Sequence, residues 1–397
     1  MTVTETPRVP ENAGKFVPVQ TRSERPKSFT PEDFETPTGK EADWKYSPVA
    51  EFQELFKNEP GTGNLEISVE GPESLQLSTL AADQAPRGTG FVPEDLPAAI
   101  ASKQTSDAAY LAIPAGAELD APVTVTIRGE DASARELVHL VLHAQENASA
   151  TVVIDHVGSA LLSENVEIVV DEGASLEVIV VHDWNDDSVH TGSHQAVLAK
   201  DATLNHTIVT FGGKVVRVNP SIHLNGAGSE GNAKGLYFSD AGQHFEHQVY
   251  IDHVGERTTS DVNYKGALQG AGARSVWIGD VLIRQSAIGT NSYEQNRNLV
   301  LSNGARADSV PNLEIETGQI EGAGHASATG RFEEDQLFYL MARGIDEPTA
   351  RRLVVHGFLN EIVQSVSVPE LQERLRESLE RELEQSIESL MAQGVVR

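Results

Sequence analysis

The 397 residues include no cysteine. That excludes disulfides, thiolate metal ligands supplied by this chain and any cysteine nucleophile. Aromatic residues are scarce at 6%, so the core is expected to be aliphatic. Basic residues are outnumbered by acids, 30 against 59, for a net charge of −29. A chain of that sign lacks the phosphate-neutralising charge that supplies affinity for nucleic acid, and anionic lipid does not attract it. Neither nucleic acid nor membrane is an expected partner. No window approaches the ~18 apolar residues of a membrane span. The opening MTVTETPRVPENAGKF carries no apolar run, so no secretory signal is expected and the cytoplasm is the expected location. No G-x-x-x-x-G-K-[ST] and no G-x-S-x-G occurs, so neither a P-loop nor a serine-hydrolase elbow is recognisable.

What is present is ordered by texture. Residues 1–48 hold seven of the 18 prolines. Proline fixes φ and removes a donor, which predicts an extended or disordered arm with Phe29, Phe34 and Trp44 as docking points. Residues 49–105 are expected to be a small helical or mixed region. It holds one helix over Pro48–Asn58, carrying Phe52, Leu55 and Phe56, and another over Glu94–Gln104. From about Ser106 short aliphatic runs appear: Pro122–Ile127, Leu137–Leu142, Ala150–Ile154, Val166–Val170, Leu176–Val181, Leu204–Thr210 and Lys214–Val218. Their length, branching and turn punctuation read as strands.

The turns recur. Ala148, Ala174, Ala202 and Ser229 follow one another at 26, 28 and 27 residues, and Ala273 and Ala305 at 32. Strands repeating at that period predict a β-solenoid over residues 106–330, with a β-sandwich as the competing architecture. After Gly330 the period becomes helical, defining a C-terminal helical domain over 331–397. Glu333–Arg343 is followed by Gly344 as a terminating glycine, Asp346 caps a second helix, and Pro369 opens a third. In the third, Leu371, Leu375, Leu379, Leu383, Ile387 and Leu390 share a face. That stripe is expected to pack in the helical domain's own core or in a partner groove.

Candidate chemistry is sparse. Gly226–Gly231 fits G-x-G-x-x-G, but a strand rather than a helix follows, so a turn is expected instead of a dinucleotide site. Histidines gather loosely at His190 and His194 and at His244, His247 and His253. Strand parity puts His247 and His253 on one face and His244 on the other. These read as strand histidines, with a metal-binding solenoid as a rival. His325, set among Gly322, Ala323, Gly324, Ala326, Ser327 and Ala328, reads as a structural histidine or as an imidazole presented for iron.

Several ordered pieces then carry a resemblance: TTSDVNYKGAL (258–268), ARSVWIGDVLI (273–283), NSYEQNRNLVLSNGARADSVPNLEIE (291–316), GHASATG (324–330), DQLFYLMARGI (335–345) and ARRLVVHGFLNEI (350–362). Over these residues the chain resembles the SufB/SufD family of iron–sulfur cluster assembly proteins, most like SufD. The resemblance implies a right-handed parallel β-helix with a helical C-terminal domain. It implies pairing with a SufB paralogue, docking of the SufC ATPase, and a non-catalytic scaffold role at an interface where a transient iron–sulfur cluster forms. A homodimer is expected only where SufB is absent. His325 matches the family histidine at that interface, as an iron or cluster ligand. Many SufD relatives carry cysteine two residues earlier, where Ala323 stands here, so thiolates must come from SufB. Tyr339 and Arg343 fall in the region the family uses near its ATPase, with Phe338 and Phe358 expected to pack internally. The rival reading is a carbohydrate-active β-helix lyase or hydrolase, which would need aromatic platforms and an exposed row of catalytic acids.

Overall fold

The computed structural model describes residues 22–73, 75–331 and 334–392. Three strands and a helix open it: β1 (Glu66–Glu70), β2 (Ser78–Ala81), α1 (Leu96–Gln104) and β3 (Asp107–Ile113). Two long strands follow, β4 (Val123–Ala144) and β5 (Ser149–Val170), each joining two of the expected aliphatic runs into one continuous element. The chain then climbs in coils of two strands. On one wall stand β6 (Ser175–Trp184), β8 (Thr203–Thr210), β10 (Glu230–Ser239), β12 (Thr259–Leu268), β14 (Asn291–Val300) and β16 (Gly322–Arg331). The other wall is β7 (Val189–Leu198), β9 (Val215–Leu224), β11 (His244–His253), β13 (Arg274–Ile283) and β15 (Arg306–Ile315). Every strand from β3 onward pairs in parallel with its counterpart one coil away. This is the expected β-solenoid.

The corners explain the period. At each turn into the first wall one residue has positive φ: Asn147, Gly173, Asp201, Gly228, Arg257 and Gly289. Each donates its N–H to the next coil's corner, as Gly173 N does to Lys200 O and Asp201 N to Ala227 O. Glycine, Asn and Asp tolerate that conformation best, and they supply five of these six corners. Ala148, Ala174, Ala202 and Ser229 follow directly and are fully buried, where a larger side chain would not fit. Ala273 and Ala305 sit at the opposite corner, before β13 and β15, so the two spacings belong to two different columns of turns. The Asn225-Gly226 and Asn303-Gly304 dipeptides, commonly hairpin signals, also serve as coil corners. Gly226 therefore opens a turn into β10, and no helix follows it.

Each wall has its own cover. The three terminal helices are α2 (Glu334–Met341), α3 (Glu347–Ser365) and α4 (Pro369–Ala392). Asp346 caps α3 by accepting from Thr349 N, and Gly344 closes α2 with φ of 86°. Leu371, Leu375, Leu379 and Leu383 of α4 join Val355, Leu359, Ile362 and Val363 of α3 against Ile179, Val209, Leu236 and Phe238 of the first wall. The leucine stripe thus packs on the outside of the solenoid, neither within a separate helical core nor in a free groove; the side chains of Ile387 and Leu390 lie outside the described residues. At roughly 1.5–3 kcal/mol for each buried aliphatic side chain, this contact is the main tie of the helices to the core.

The second wall is covered by the N-terminal segment. The described part of the proline-rich arm is irregular but firmly held. Trp44 packs with Phe52, Leu55 and Phe56 of a 3-10 helix (Val49–Phe56), with Leu96 and Ile100 of α1, and with Leu161, Val189 and Val215 of the wall. Phe29 is exposed, and Phe34 is partly buried against the same cluster. Among the described residues no helix is long and apolar enough to cross a membrane.

Candidate functional site

Among the described residues, the last coil is the part of the solenoid without a cover. β15 and β16 end the strand order, and no described strand lies on the outer edge of either. Their side chains are partly or fully exposed along most of their length, whereas β11 is buried throughout. A strand edge of this kind presents unpaired N–H and C=O groups on which another chain can pair.

His325 stands on that edge strand, 43% exposed, and in register with Glu294 of β14. Its Nδ1 lies 3.7 Å from Glu294 Oε1. Glu294 is buried, and neither of its carboxylate oxygens has a hydrogen-bond partner. Burial, reinforced by the negative charge of Asp280 on β13, pushes its carboxyl up to about 8. Room for it comes from Gly279, where a Cβ would stand 2.5 Å from Glu294 Oε2. Tyr293, beside it, is 45% exposed and packs against Gly324. The glycine and alanine neighbours of His325 leave the imidazole standing clear of its strand.

Behind this edge the interior is polar. Ser327 donates to Ser309 at 2.8 Å, and Ser309 to Asn296 Oδ1 at 2.8 Å. Asn296 donates to the Tyr237 hydroxyl at 3.0 Å, which in turn donates to Asn298 Oδ1 at 2.6 Å. The donor set at the edge itself is one imidazole and one carboxylate. It suits a borderline divalent ion such as Fe(II), and it offers no sulfur to a cluster.

The other predicted residues lie elsewhere. Tyr339 is 55% exposed on α2, with the Arg343 guanidinium 4.2 Å over its ring. Phe338, expected to pack internally, is instead 73% exposed, because α2 turns that face away from the wall that α3 and α4 cover. Phe358 does pack, partly buried against the first wall with Lys265 Nζ 5.2 Å from its ring centroid. The histidines divide as parity predicts. His247 and His253 share the inward face with Phe245, Val249 and Ile251, while His244 pairs with Glu246 under the N-terminal cover. They do not converge on one point. His190 and His194 both point inward at Glu164. Glu294 was not singled out in the sequence. The signal that finds it is the coil period of about 31 residues, which sets it one rung behind His325.

The fold is thus a parallel β-solenoid with helices on one wall, an N-terminal cover on the other and a histidine on its exposed last coil. The family whose profile matches is "SUF system FeS cluster assembly, SufBD core domain", over residues 126–358. The chain is 45% identical over 364 residues to an iron-sulfur cluster assembly SufBD family protein of Mycobacterium tuberculosis (strain H37Rv), covering 90% of this chain and 92% of that one. It is 26% identical over 367 residues to the iron-sulfur cluster assembly protein SufD of Escherichia coli, 83% of this chain and 85% of the relative. It is 24% identical over 274 residues to SufB of Bacillus subtilis, 68% and 58% of the respective chains. The chain belongs to the SufBD family of iron–sulfur cluster assembly proteins.

Proposed function

We propose that the chain is a scaffold subunit of the SUF machinery, working in the cytoplasm. It pairs with a SufB-type subunit through its last coil and docks the SufC ATPase through the 331–397 region. The observation that carries this reading is the uncovered β15–β16 edge with His325 and the buried, unpaired Glu294 behind it. An iron or a nascent cluster is cargo at that edge. This chain offers it imidazole and carboxylate, and the thiolates come from the partner, since Ala323 and the rest of the chain supply none. The exposed Phe338, Tyr339 and Arg343 of the α2 region form an apolar and cationic patch suited to a protein partner. With no P-loop in its own sequence, the subunit takes its ATP-driven movement from that partner. Family membership supports this reading over the carbohydrate-enzyme alternative.

The test is co-expression with SufB- and SufC-type chains, then purification and anaerobic iron and sulfide analysis. A stable three-component complex is expected, and its absence ends the scaffold reading. ATPase docking is tested with Phe338→Ser/Tyr339→Ser rather than by truncation, because removing α3 and α4 would strip the first wall bare. Loss of the ATPase with SufB retained is expected; an unchanged complex moves that contact elsewhere.

A further inference from the structure

The solenoid interior holds a second cluster that the partner reading does not use. His156 and Glu164 lie on β5, His182 on β6 and His190 on β7. All four are fully buried. One ring nitrogen from each of His156, His182 and His190 lies within 4.8 Å of the others. Their ring centroids are 4.8, 5.1 and 5.1 Å apart. A tetrahedral ion bound at about 2.0–2.1 Å by three imidazole nitrogens holds ring centroids about 5 Å apart, so the rings already have the required spacing.

The outer side of each ring is fixed by the fold. His156 Nδ1 donates to Val181 O at 3.0 Å, leaving Nε2 toward Glu164 at 3.1 Å. His182 Nδ1 meets Thr210 Oγ1 at 3.1 Å, and its Nε2 has no partner. His190 Nδ1 accepts from Trp184 Nε1 at 3.3 Å, and its Nε2, also without a hydrogen bond, lies 3.3 Å from Glu164 Oε2. The carbonyl on His156 and the hydroxyl on His182 are outer partners of the kind that orient ligands in metal sites, whereas the Trp184 N–H on His190 is not. Buried nitrogens without partners are costly unless something fills the space between them.

We infer that the solenoid interior is a binding site for one divalent transition-metal ion, held by His156, His182 and His190 with Glu164 as the anionic neighbour. Three imidazoles, with the fourth position left to water or to Glu164, suit Zn(II), Co(II) or Fe(II). His190 binding through Nε2 carries its own proton on Nδ1, which faces the Trp184 N–H. The indole therefore moves off that contact on loading, and its fluorescence reports it. The site lies in the isolated chain, far in sequence from the β16 edge, so its failure leaves the scaffold reading untouched.

The test refolds the full chain with Zn(II) or Co(II), passes it through gel filtration and measures bound metal by mass spectrometry. About one ion per chain is expected, with the visible absorption of tetrahedral Co(II) and a change in Trp184 emission that Trp184→Phe removes. His182→Gln/His190→Gln is expected to lower retained metal at least tenfold, while His325→Ala keeps it. Wild-type chain that refolds to its normal circular dichroism yet retains no metal overturns the inference, leaving ordered water between the rings. So does equal retention by the double variant. Where that variant fails to refold, the wild-type Co(II) spectrum decides: a tetrahedral signal supports the site, and an octahedral or absent one refutes it.

Discussion

At its first coils the solenoid is closed. β1 lies antiparallel on the first half of β4 and β3 parallel on its second half, with β2 beyond. Val123, Val125 and Ile127 beneath them are fully buried. At the last coil no described strand or helix plays that part, and β15 and β16 stand with their outer edges free. Solenoids need capped ends to stay soluble and monomeric. Among the described residues, then, the chain builds one cap from its own strands and supplies none at the other end, the end through which the proposed pairing runs. The same contrast holds for polar groups. Near the closed end Glu164 lies 3.1 and 3.3 Å from the His156 and His190 rings, whereas Glu294 at the open end accepts no hydrogen bond and meets the His325 ring at 3.7 Å.

The largest expected effect tests the closed interior. Burial lowers the basicity of His139, His182 and His206, holds His190 and His253 at about 4 and His247 at about 3. Each is protonated in the unfolded chain below about 6.5 but not in the fold, so stability is lost as pH falls below 6.5. His156, raised by Glu164 despite its burial, opposes the trend with a single proton. Unfolding is therefore expected to take up several protons between pH 6.5 and 4, at about 1.4 kcal/mol per proton per pH unit as an upper bound. Urea midpoints measured across that range check it. A flat profile from pH 7 to 5 would mean the interior is hydrated.

Next in size is the contact that ties the N-terminal cover to the second wall. Arg217 is fully buried, donates to Asp95 Oδ2 at 2.9 Å, lies 3.5 Å from Glu246 Oε1 and stacks 3.8 Å over the Trp44 ring. Glu246 stays near 2 in spite of its burial because His244 and Arg217 hold its charge. Arg217→Ala strands two buried acids and is expected to cost about 3–5 kcal/mol. Denaturant unfolding measures it, and a loss below about 1 kcal/mol would show that solvent reaches this layer.

The repeat was legible because its corners are chemically constrained. A left-handed residue followed by a small buried one returns every 26 to 32 residues, and only a few residue types meet both demands. Strands such as β7 (VHTGSHQAVL) were not legible, since the inward face begins His190, Gly192, His194 and the outward face carries Thr191, Ser193 and Gln195, so neither reads as a core face. The destination of the α4 stripe was hidden for a related reason. Its partner is the outer face of β6, β8 and β10, and periodicity reveals that a helix has an apolar face without saying which apolar face it meets. At the site, His325 could be read from its small neighbours. Glu294 could not, because its meaning depends on which residue stands one coil above it.

A smaller effect sharpens the contrast at the open end. Glu294, raised to about 8 by burial and by Asp280, keeps a proton in the fold that the unfolded chain gives up above about 4.5. Its contribution is intact below that value and is lost as pH rises through 8. The charged or titratable groups facing it are Asp280 on β13 and His325 on β16. Glu294→Gln is expected to match the parent at pH 5 and to exceed it at pH 8.5, by on the order of 2 kcal/mol after allowing for solvent at the open coil. Thermal melts at the two pH values measure it, and no difference between them would mean the carboxylate is already solvated.

The smallest expected change in stability belongs to His325, and it separates folding from function at the open end. The imidazole projects from the last strand, and its recorded contact is a 3.7 Å approach to Glu294. Truncation leaves no cavity and no newly unsatisfied buried group, so His325→Ala is expected to alter stability by less than about 0.5 kcal/mol. If the edge only packs against a partner, the variant's complex should carry as much iron and sulfide as the parent. If the imidazole is the chain's ligand, complex yield should hold while cluster content falls severalfold, and His325→Cys should restore part of it by supplying the thiolate the chain otherwise lacks. Pairing yield, iron and sulfide measured on the same anaerobic preparation distinguish the two outcomes. Equal cluster content in parent and His325→Ala complexes would leave the open end as a docking edge alone.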